Sequence, residues 1–263
     1  MFSVEPRHIL HNNQLAEVIC QLRFPEILMI GERPPAVFQE LIRDEFPQYS
    51  VLKNAAAPKI TGTPGHLSLE NQPPSINYQF VSADGIWRVN LTTTFISLAC
   101  NRYTCWEDFA KRLDKPLAAF IQTYKPAYFQ RVGLRYLNFI SRNRLSLEGV
   151  PYRELIQSPY LGLLAEEDVQ ESSASRCNVD AEIGIRGGCR VKIHAGPGLV
   201  KRKNQPDNNK EVHFIFDQDL FMPGNVPVNY SAGALETLHS QAYAIFRGAI
   251  TDTLFQAMEP ESI

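Results

Sequence analysis

The chain has 263 residues, of which 44% are hydrophobic and 21% are charged, a composition that is ordinary for a globular protein with a real core. A net charge of −2 argues against a protein that coats nucleic acid or an anionic membrane through bulk charge. The sequence has no apolar run of about 18 residues and no signal-peptide pattern, so we expect no membrane segment. The five cysteines are scattered without a CxxC pair, which favours free thiols in a reducing cytoplasm.

The first quarter of the chain predicts a strand, a helix and a surface excursion. Residues 17–24 alternate apolar with polar side chains, which is typical of a half-buried strand. Apolar residues recur at helical spacing over residues 37–46, directly after two prolines that a helix tolerates in its first turn. Residues 53–76 are rich in Pro, Gly and Asn, and they predict a surface excursion with a short strand near Leu67–Leu69.

The next segment predicts a β-hairpin. Ile76–Ser82 is its expected first strand, and a second strand begins at Ile86. The turn between them, Ala83-Asp84-Gly85, contains the Asp-Gly pair that supplies the positive φ angles of tight hairpin turns. We expect the second strand to continue, or to re-form after a bulge, through Phe95–Cys100.

A long helix is expected after this hairpin. Thr104-Cys-Trp-Glu107 matches a capping box, which predicts a helix start. An apolar stripe at helical spacing then runs to Tyr124. Pro116 lies within the stripe and should kink or split the helix.

Residues 128–140 predict a strand with two distinct faces, because apolar and polar side chains alternate with a period of two. One face is expected to pack beneath the preceding helix, and it carries Val132, Leu134, Tyr136, Asn138 and Ile140. The opposite face carries Arg131 and Arg135. Arginine is rarely buried without a partner, so these two side chains need a specific explanation.

The second half predicts a short helix, three strands and a final long helix. The short helix is expected within Pro151–Leu164, where Pro159 limits it. The expected strands are Ser175–Ile185, Arg190–Ala195 and Glu211–Phe216, with a hairpin turn at Arg186-Gly-Gly-Cys189 and a polar loop at Lys201–Lys210. The last helix begins near Ser231 and carries apolar residues as far as Leu254.

This order of elements predicts an α+β fold with a mainly antiparallel sheet and helices packed on one face. Hairpin-linked strands interrupted by helices are typical of that class. Residues 1–145 and 146–263 resemble two diverged β-α-β-β-α halves, although no residue-level repeat supports a duplication. We expect the two halves to pack as one compact unit.

Several polar residues of the predicted strands fall on the sheet face opposite the helices. They are Arg23, Arg88, Asn90, Arg131 and Arg135. Because arginine offers planar donor forks suited to carboxylate or phosphate, this face is the candidate ligand-binding surface. The alternative explanation is that one solvated face, covered by long polar side chains, is the normal state of an antiparallel sheet.

Another polar cluster has a simpler explanation. Asn178, Asp180 and Glu182 alternate on one predicted strand, and Arg190, Lys192 and His194 alternate on its hairpin partner. Cross-strand pairing of opposite charges stabilises such a hairpin by roughly 0.2–1 kcal/mol. A metal or acid–base cluster of Asp180, Glu182 and His194 is the competing hypothesis, but no second carboxylate–histidine pair lies at ligand spacing. His239 has no partner that the sequence identifies, and we expect it on a helix face or in the core.

Three segments carry a resemblance that spans nearly the whole chain. They are Leu15-Ala-Glu-Val-Ile-Cys-Gln-Leu-Arg-Phe24, Arg131-Val-Gly-Leu-Arg-Tyr-Leu-Asn138 and Phe246-Arg-Gly-Ala-Ile-Thr-Asp252. Together they resemble a sporadically distributed family of bacterial proteins of about this length, whose function is uncharacterised. The resemblance implies a single bacterial cytoplasmic unit, and it transfers no catalytic residue.

The sequence leaves three functional hypotheses open. It contains no Walker loop, no GxGxxG after a strand, no GxSxG elbow and no HExxH, and it predicts no cofactor and no metal. The leading hypothesis is a non-enzymatic binding or interaction module whose arginine-bearing face takes a protein partner or an anionic small ligand. The second is an enzyme that holds an anionic substrate on that face. The third is a nucleic-acid-binding component of a bacterial defence or regulatory system, which the near-neutral charge disfavours.

Overall fold

The computed structural model describes residues 2–54, 59–63, 66–70, 75–200 and 211–262. The strands in these residues are β1 (His8–Leu10), β2 (Leu15–Arg23), β3 (Gln48–Asn54), β4 (Lys59–Thr63), β5 (His66–Glu70), β6 (Ser75–Val81), β7 (Trp87–Leu91), β8 (Phe95–Cys100), β9 (Phe129–Ile140), β10 (Val179–Gly184), β11 (Arg190–Leu199), β12 (Val212–Val226) and β13 (Pro260–Ser262). The helices are α1 (Leu28–Glu32), α2 (Ala36–Ile42), α3 (Trp106–Tyr124), α4 (Ser231–Ala249) and α5 (Asp252–Ala257).

The described strands form one large sheet and two small ones. The large sheet has nine antiparallel strands in the order β10-β11-β12-β9-β2-β8-β7-β6-β3. The hairpin β4–β5 and the pair β1–β13 form the two small sheets. β9 lies between β2 and β12, so strands from residues 1–145 and from residues 146–263 meet in a single hydrogen-bonded sheet at this position.

One face of the large sheet is covered and supplies the core. α3 packs on β8, α4 packs on β9 and β12, and α2 packs on α3. The buried residues of β9 alternate as predicted, with Val132, Leu134 and Ile140 fully buried. Tyr152 and Tyr160 pack on Phe214 and Phe216 of β12, so the segment before β10 covers the same face. The predicted α+β fold with a mainly antiparallel sheet is confirmed.

Both predicted hairpins are confirmed. Gly85 in the β6–β7 turn has φ 73°, and Gly187 and Gly188 in the β10–β11 turn have φ 70° and 72°. These angles lie in the left-handed region that glycine enters without a steric penalty. The short strand expected near Leu67–Leu69 corresponds to β5. The polar loop Lys201–Lys210 and parts of residues 53–76 lie outside the described residues.

Two boundaries in the first half differ from the predictions. The chain reverses between β7 and β8, where the Thr92 hydroxyl accepts hydrogen bonds from the backbone N–H groups of Thr94 and Phe95. β8 therefore returns beside β7 and does not continue it. α3 begins after Cys105 without a side-chain cap, and it runs unbroken past Pro116. The buried apolar face of α3 outweighs the one backbone hydrogen bond that proline removes.

Two predicted helices also differ. Residues 151–165 form 3-10 turns at Tyr152–Glu154, Ser158–Tyr160 and Gly162–Ala165 and no α-helix. Pro159 lies inside the second turn, and Gly162 adopts φ 57°, which no α-helix accepts. The final helix ends at Ala249 because Ile250 is extended and bridges Ile156, so Leu254 lies on α5. β9 lies under α4, whereas we predicted α3 above it. The sequence patterns did not predict α1 or β3.

Candidate functional site

The structure places all the predicted site residues on the side of the large sheet opposite α3 and α4, which we call the open face. Arg131 and Arg135 come from β9, Arg23 from β2, and Arg88 and Asn90 from β7. Arg23 lies directly opposite Arg131 in the register of β2 and β9. Arg88 and Asn90 are separated from β9 by two strands, so the predicted residues form no single cluster.

Three of the arginines are paired with carboxylates of other strands, two of them on the adjacent strand β12. Both oxygens of Asp219 on β12 accept hydrogen bonds from Arg131, at 2.6 and 2.8 Å. Asp217 accepts from Nε of Arg135 at 2.7 Å, and this hydrogen bond is the main reason that the pKa of Arg135 is raised. The carboxylates therefore offset much of the positive charge that the sequence suggested for this face.

The third pair crosses an intervening strand. Arg88 on β7 donates to Glu17 on β2 at 2.8 Å. On β8, which lies between these strands, Ala99 is opposite Arg88 in the register. A methyl side chain leaves space above it, so the long arginine can extend over β8 to reach the carboxylate.

Arg131 has more contacts that hold it in place than the other arginines of the open face. Its guanidinium lies 4.6 Å from the ring centroid of Phe221 and folds back over Gly133 of its own strand. A Cβ atom at Gly133 would lie 2.2 Å from Nη1 of Arg131. Glycine inside a strand often marks such a close approach. Asp219 and Phe221 therefore hold the Arg131 side chain in the space that the absence of a side chain at position 133 leaves open.

Arg23 and Asn90 behave differently from these three arginines. Arg23 is exposed and makes no ion pair with any residue in the described part of the chain. The side-chain oxygen of Asn90 accepts hydrogen bonds from Asn77 and Gln79, and its amide donates to Ser97, each at 3.2 Å. Asn90 thus belongs to an amide network that joins β6, β7 and β8, while Arg23 remains available to a ligand.

The outer strands of the open face carry cross-strand charge pairs, as predicted. His194 contacts Asp180 at 2.6 Å, and Arg190 donates to Glu182 at 2.9 Å. In the residues that the structure describes, no group of three His, Cys, Asp or Glu side chains is placed to hold a metal ion. The geometry of Asp180, Glu182 and His194 is that of pairing within a hairpin.

The open face combines these charges with half-exposed apolar side chains. The apolar members are Ile19, Phe95, Leu137, Phe139 and Phe221. A wide, shallow depression of 470 Å³ lies among the charged residues of β9 to β12, which are Arg135, Asp180, Glu182, Lys192, His194, Asp217 and Asp219. The surface is therefore of mixed charge, with apolar patches between fixed ion pairs.

A second site, which the sequence did not reveal, lies on the covered side of the sheet. It is a cavity of 90 Å³ between residues 7–15, the start of α3, β9 and α4. Its polar lining includes Arg7, Tyr103, Tyr136, Asn138, Gln218 and His239. Residues 7–15 lie over the cavity, and among them β1 is held by pairing with β13.

His239 is the central polar group of this cavity. Its ring stacks on Trp106 at a centroid distance of 4.6 Å, and its Nε2 lies 2.9 Å from Nη1 of Arg7. Burial, reinforced by the charge of Arg7, lowers the pKa of His239 to about 4. Because arginine can only donate, Nε2 accepts and Nδ1 carries the proton, which it donates to the Tyr136 hydroxyl at 2.8 Å.

The predicted core placement of His239 is confirmed, since it is only 6% exposed. The structure supplies the partners that the sequence could not identify. Arg7, Trp106 and Tyr136 are all distant in sequence, so no local pattern could have identified them. The sequence signal that existed was the apolar stripe of α4, which places His239 beside Leu235, Leu238 and Ala242 on the buried face.

Comparisons with known proteins add no functional assignment. In the part of the chain that the structure describes, no helix is both long and apolar enough to span a membrane. No protein-family model matches the sequence, and a search of curated proteins finds no significant match. The resemblance to a bacterial family that three sequence segments suggest stays a prediction.

Proposed function

We propose that this protein is a non-enzymatic bacterial interaction module that binds a partner protein on the open face of its sheet. The observation that carries the proposal is the set of arginines held in fixed positions by carboxylates, with half-exposed apolar residues between them. Arginine and aromatic residues are enriched at protein interfaces, where they contribute most of the binding energy. We place the protein in the cytoplasm, because its scattered cysteines are typical of a reducing compartment.

Pre-ordering of the arginines supports this proposal. Binding normally costs entropy because long side chains must be immobilised. On the open face Asp219 and Phe221 already hold Arg131, and Asp217 already holds Arg135. Binding of a partner to these side chains therefore costs less conformational entropy than binding to freely rotating arginines would.

The balance of charges favours a protein over a polyanion as the partner. A nucleic acid or a multiply charged small anion needs an excess of cations. On the open face Glu17, Asp217 and Asp219 lie within hydrogen-bond distance of the arginines and would repel such a ligand. A protein surface with its own mixture of acidic and basic groups can complement both signs of charge.

The test compares a variant of the open face with a matched control. The partner is captured on the immobilised protein, purified and titrated by calorimetry against wild type, Arg88→Ala/Arg135→Ala and Arg43→Ala/Arg153→Ala. Arg43 and Arg153 are exposed and lie outside the open face, so the control removes the same charge. We expect the open-face variant to bind about tenfold more weakly or worse, which corresponds to roughly 1.4 kcal/mol. Equal affinity for all three proteins would reject the open face as the binding surface.

Arg23→Ala serves as a second open-face variant. Removal of Arg135 leaves Asp217 unpaired, whereas removal of Arg23 breaks no ion pair among the described residues.

Two further measurements separate the alternative hypotheses. Binding of a labelled oligonucleotide that weakens steeply with salt would favour the nucleic-acid hypothesis. Binding of inorganic phosphate that Arg88→Ala/Arg135→Ala abolishes would favour the enzyme or the small-ligand hypothesis.

A further inference from the structure

The cavity on the covered side of the sheet has the features of a small-molecule site. We propose that it binds the head group of a neutral ligand that carries an N–H donor, such as a primary amide or an N–H heterocycle. The cavity and the open face lie on opposite sides of the sheet. This inference is therefore independent of the proposed protein partner.

Gln218 supplies the first argument. It lines the cavity and is only 2% exposed, yet its side-chain oxygen has no hydrogen-bond partner among the described residues. Buried acceptors are rarely left unpaired in native proteins, and an exception calls for a missing water or ligand. An amide oxygen can only accept, so the missing group must donate a hydrogen bond.

The charges around the cavity supply the second argument. Arg7 is paired with Glu107 and also donates to His239. Glu236, at the edge of Trp106, accepts the indole N–H at 2.6 Å. The charged groups near the cavity are thus engaged with protein partners, and a buried ligand charge would stay uncompensated. Burial of an unpaired charge is strongly unfavourable, so the site selects a neutral ligand.

The hydroxyl groups of Tyr136 and Tyr103 provide a second point of contact for the ligand. The Tyr136 hydroxyl accepts a hydrogen bond from His239, so its own hydroxyl hydrogen is free to turn toward Tyr103. The hydroxyl hydrogen of Tyr103 then has no acceptor among the described residues. A carbonyl or ring nitrogen of the ligand can accept it. A primary amide offers both functions, an N–H group for Gln218 and a carbonyl for Tyr103.

The size of the cavity limits the buried part of the ligand. Its 90 Å³ is well above the roughly 10–15 Å³ that a cavity needs to hold one water. An amide head of a few heavy atoms fits this space, and the rings of Tyr103, Trp106 and Tyr136 provide flat walls beside it. A larger ligand would project its remainder out of the cavity.

Propionamide and propionate are suitable probes, because they have nearly the same shape and differ in charge. Binding is followed by NMR through the indole N–H signal of Trp106, which lines the cavity, and Trp87, which does not, is the internal reference. We expect propionamide to shift the Trp106 signal saturably at millimolar concentration and propionate to bind at least about tenfold more weakly. No saturable shift, or equal affinity for both probes, would overturn the proposal.

The decisive variant is Gln218→Leu, which removes the unpaired oxygen and nearly conserves volume. We expect it to abolish propionamide binding while the melting temperature stays at or above that of wild type. Gln241→Leu is the matched control, since its side-chain oxygen is also buried and unpaired but lies outside the cavity lining. Unchanged propionamide binding in Gln218→Leu would contradict the proposal. A lower melting temperature of Gln218→Leu than of wild type would also contradict the proposal. It would show that a bound water already satisfies the Gln218 oxygen in the protein without ligand. Gln218→Met replaces the leucine variant if that variant does not fold.

Discussion

The contact between Gly133 and Arg131 shows how a missing side chain can position a charged one. The guanidinium lies where a Cβ atom at position 133 would be, and it is pressed between Phe221 and Asp219. A glycine in a strand normally weakens the sheet. Here it allows the arginine to lie flat across its own strand and reach β12. The Arg131–Asp219 pair is partly buried, with the two side chains 20% and 29% exposed.

We therefore predict that Gly133→Ala breaks the Arg131–Asp219 pair by displacing the flexible end of the arginine. The predicted signature is coupling between two substitutions. Asp219→Asn should cost about 1 kcal/mol less in the Gly133→Ala background than in wild type, as expected for a partly screened ion pair. Urea unfolding of the four proteins measures this coupling. Gly184→Ala, where a Cβ atom would meet nothing within 4 Å, is the control and should be additive with Asp219→Asn.

His239 makes stability depend on pH in a defined direction. Its pKa is about 4 in the native protein, against an ordinary value of about 6.5 in the unfolded chain. Between these values the unfolded chain binds a proton and the native protein does not, so falling pH favours unfolding. At about 1.4 kcal/mol per pKa unit, this pKa difference contributes roughly 3 kcal/mol to the free energy of unfolding at neutral pH.

The prediction is that this contribution is fully present above about pH 6.5 and is lost as the pH falls toward 4. His239→Gln cannot take up the proton, so its free energy of unfolding should fall less steeply over the same range. Urea unfolding at several pH values between about 4 and 7.5 compares the two slopes. Parallel pH profiles for wild type and His239→Gln would show that His239 does not titrate as inferred.

Polar contacts of one buried arginine hold the N-terminal segment, residues 3–10, against the last two helices. Arg247 on α4 is 8% exposed, and it donates to Glu5 at 2.7 and 3.0 Å and to Asp252 at 2.5 Å. Its guanidinium also lies 4.2 Å from the ring centroid of Phe255. One side chain thus joins the N-terminal segment to both α4 and α5.

We predict that Arg247→Met loosens the N-terminal segment without unfolding the sheet. Glu5 and Asp252 are exposed enough to be rehydrated, so the expected loss of stability is about 1–2 kcal/mol and not the larger cost of a stranded buried charge. Hydrogen exchange should accelerate for the amides of residues 3–10 and stay unchanged in β2. Arg43→Met, which removes an exposed arginine directly after α2, is the control. Equal protection of residues 3–10 in wild type and Arg247→Met would contradict the assigned role.

The sequence predicts on which face of a strand a side chain lies better than it predicts which residues of other strands that side chain contacts. The period of two in β9 was enough to separate Val132 and Leu134 from Arg131 and Arg135, because alternation is a local property of the chain. The carboxylates that pair with these arginines were missed. The predicted strand ended at Phe216, before Asp217 and Asp219, and no local pattern sets the register between β9 and β12. The partners of His239 escaped prediction for the same reason.

For the whole molecule, the position of β9 bears on whether the chain unfolds in one step. β9 forms the longest pairing in the sheet with β12 on one side and pairs with β2 on the other. The halves divided at residue 145 therefore share backbone hydrogen bonds as well as one continuous group of buried residues. Independent domains would instead be joined by a linker crossed by few contacts.

We predict that the two halves unfold together, although chains longer than about 150 residues often show intermediates. Cys20 on β2 and Cys189 between β10 and β11 are both buried, so each thiol reports on one half. Their labelling, resolved by peptide mass spectrometry along a urea gradient, should give coincident midpoints. Leu134→Ala in β9 should lower both midpoints equally, since truncation of a fully buried leucine costs about 2–5 kcal/mol. A shift confined to Cys20 would show that the halves are separate folding units that only adjoin at β9.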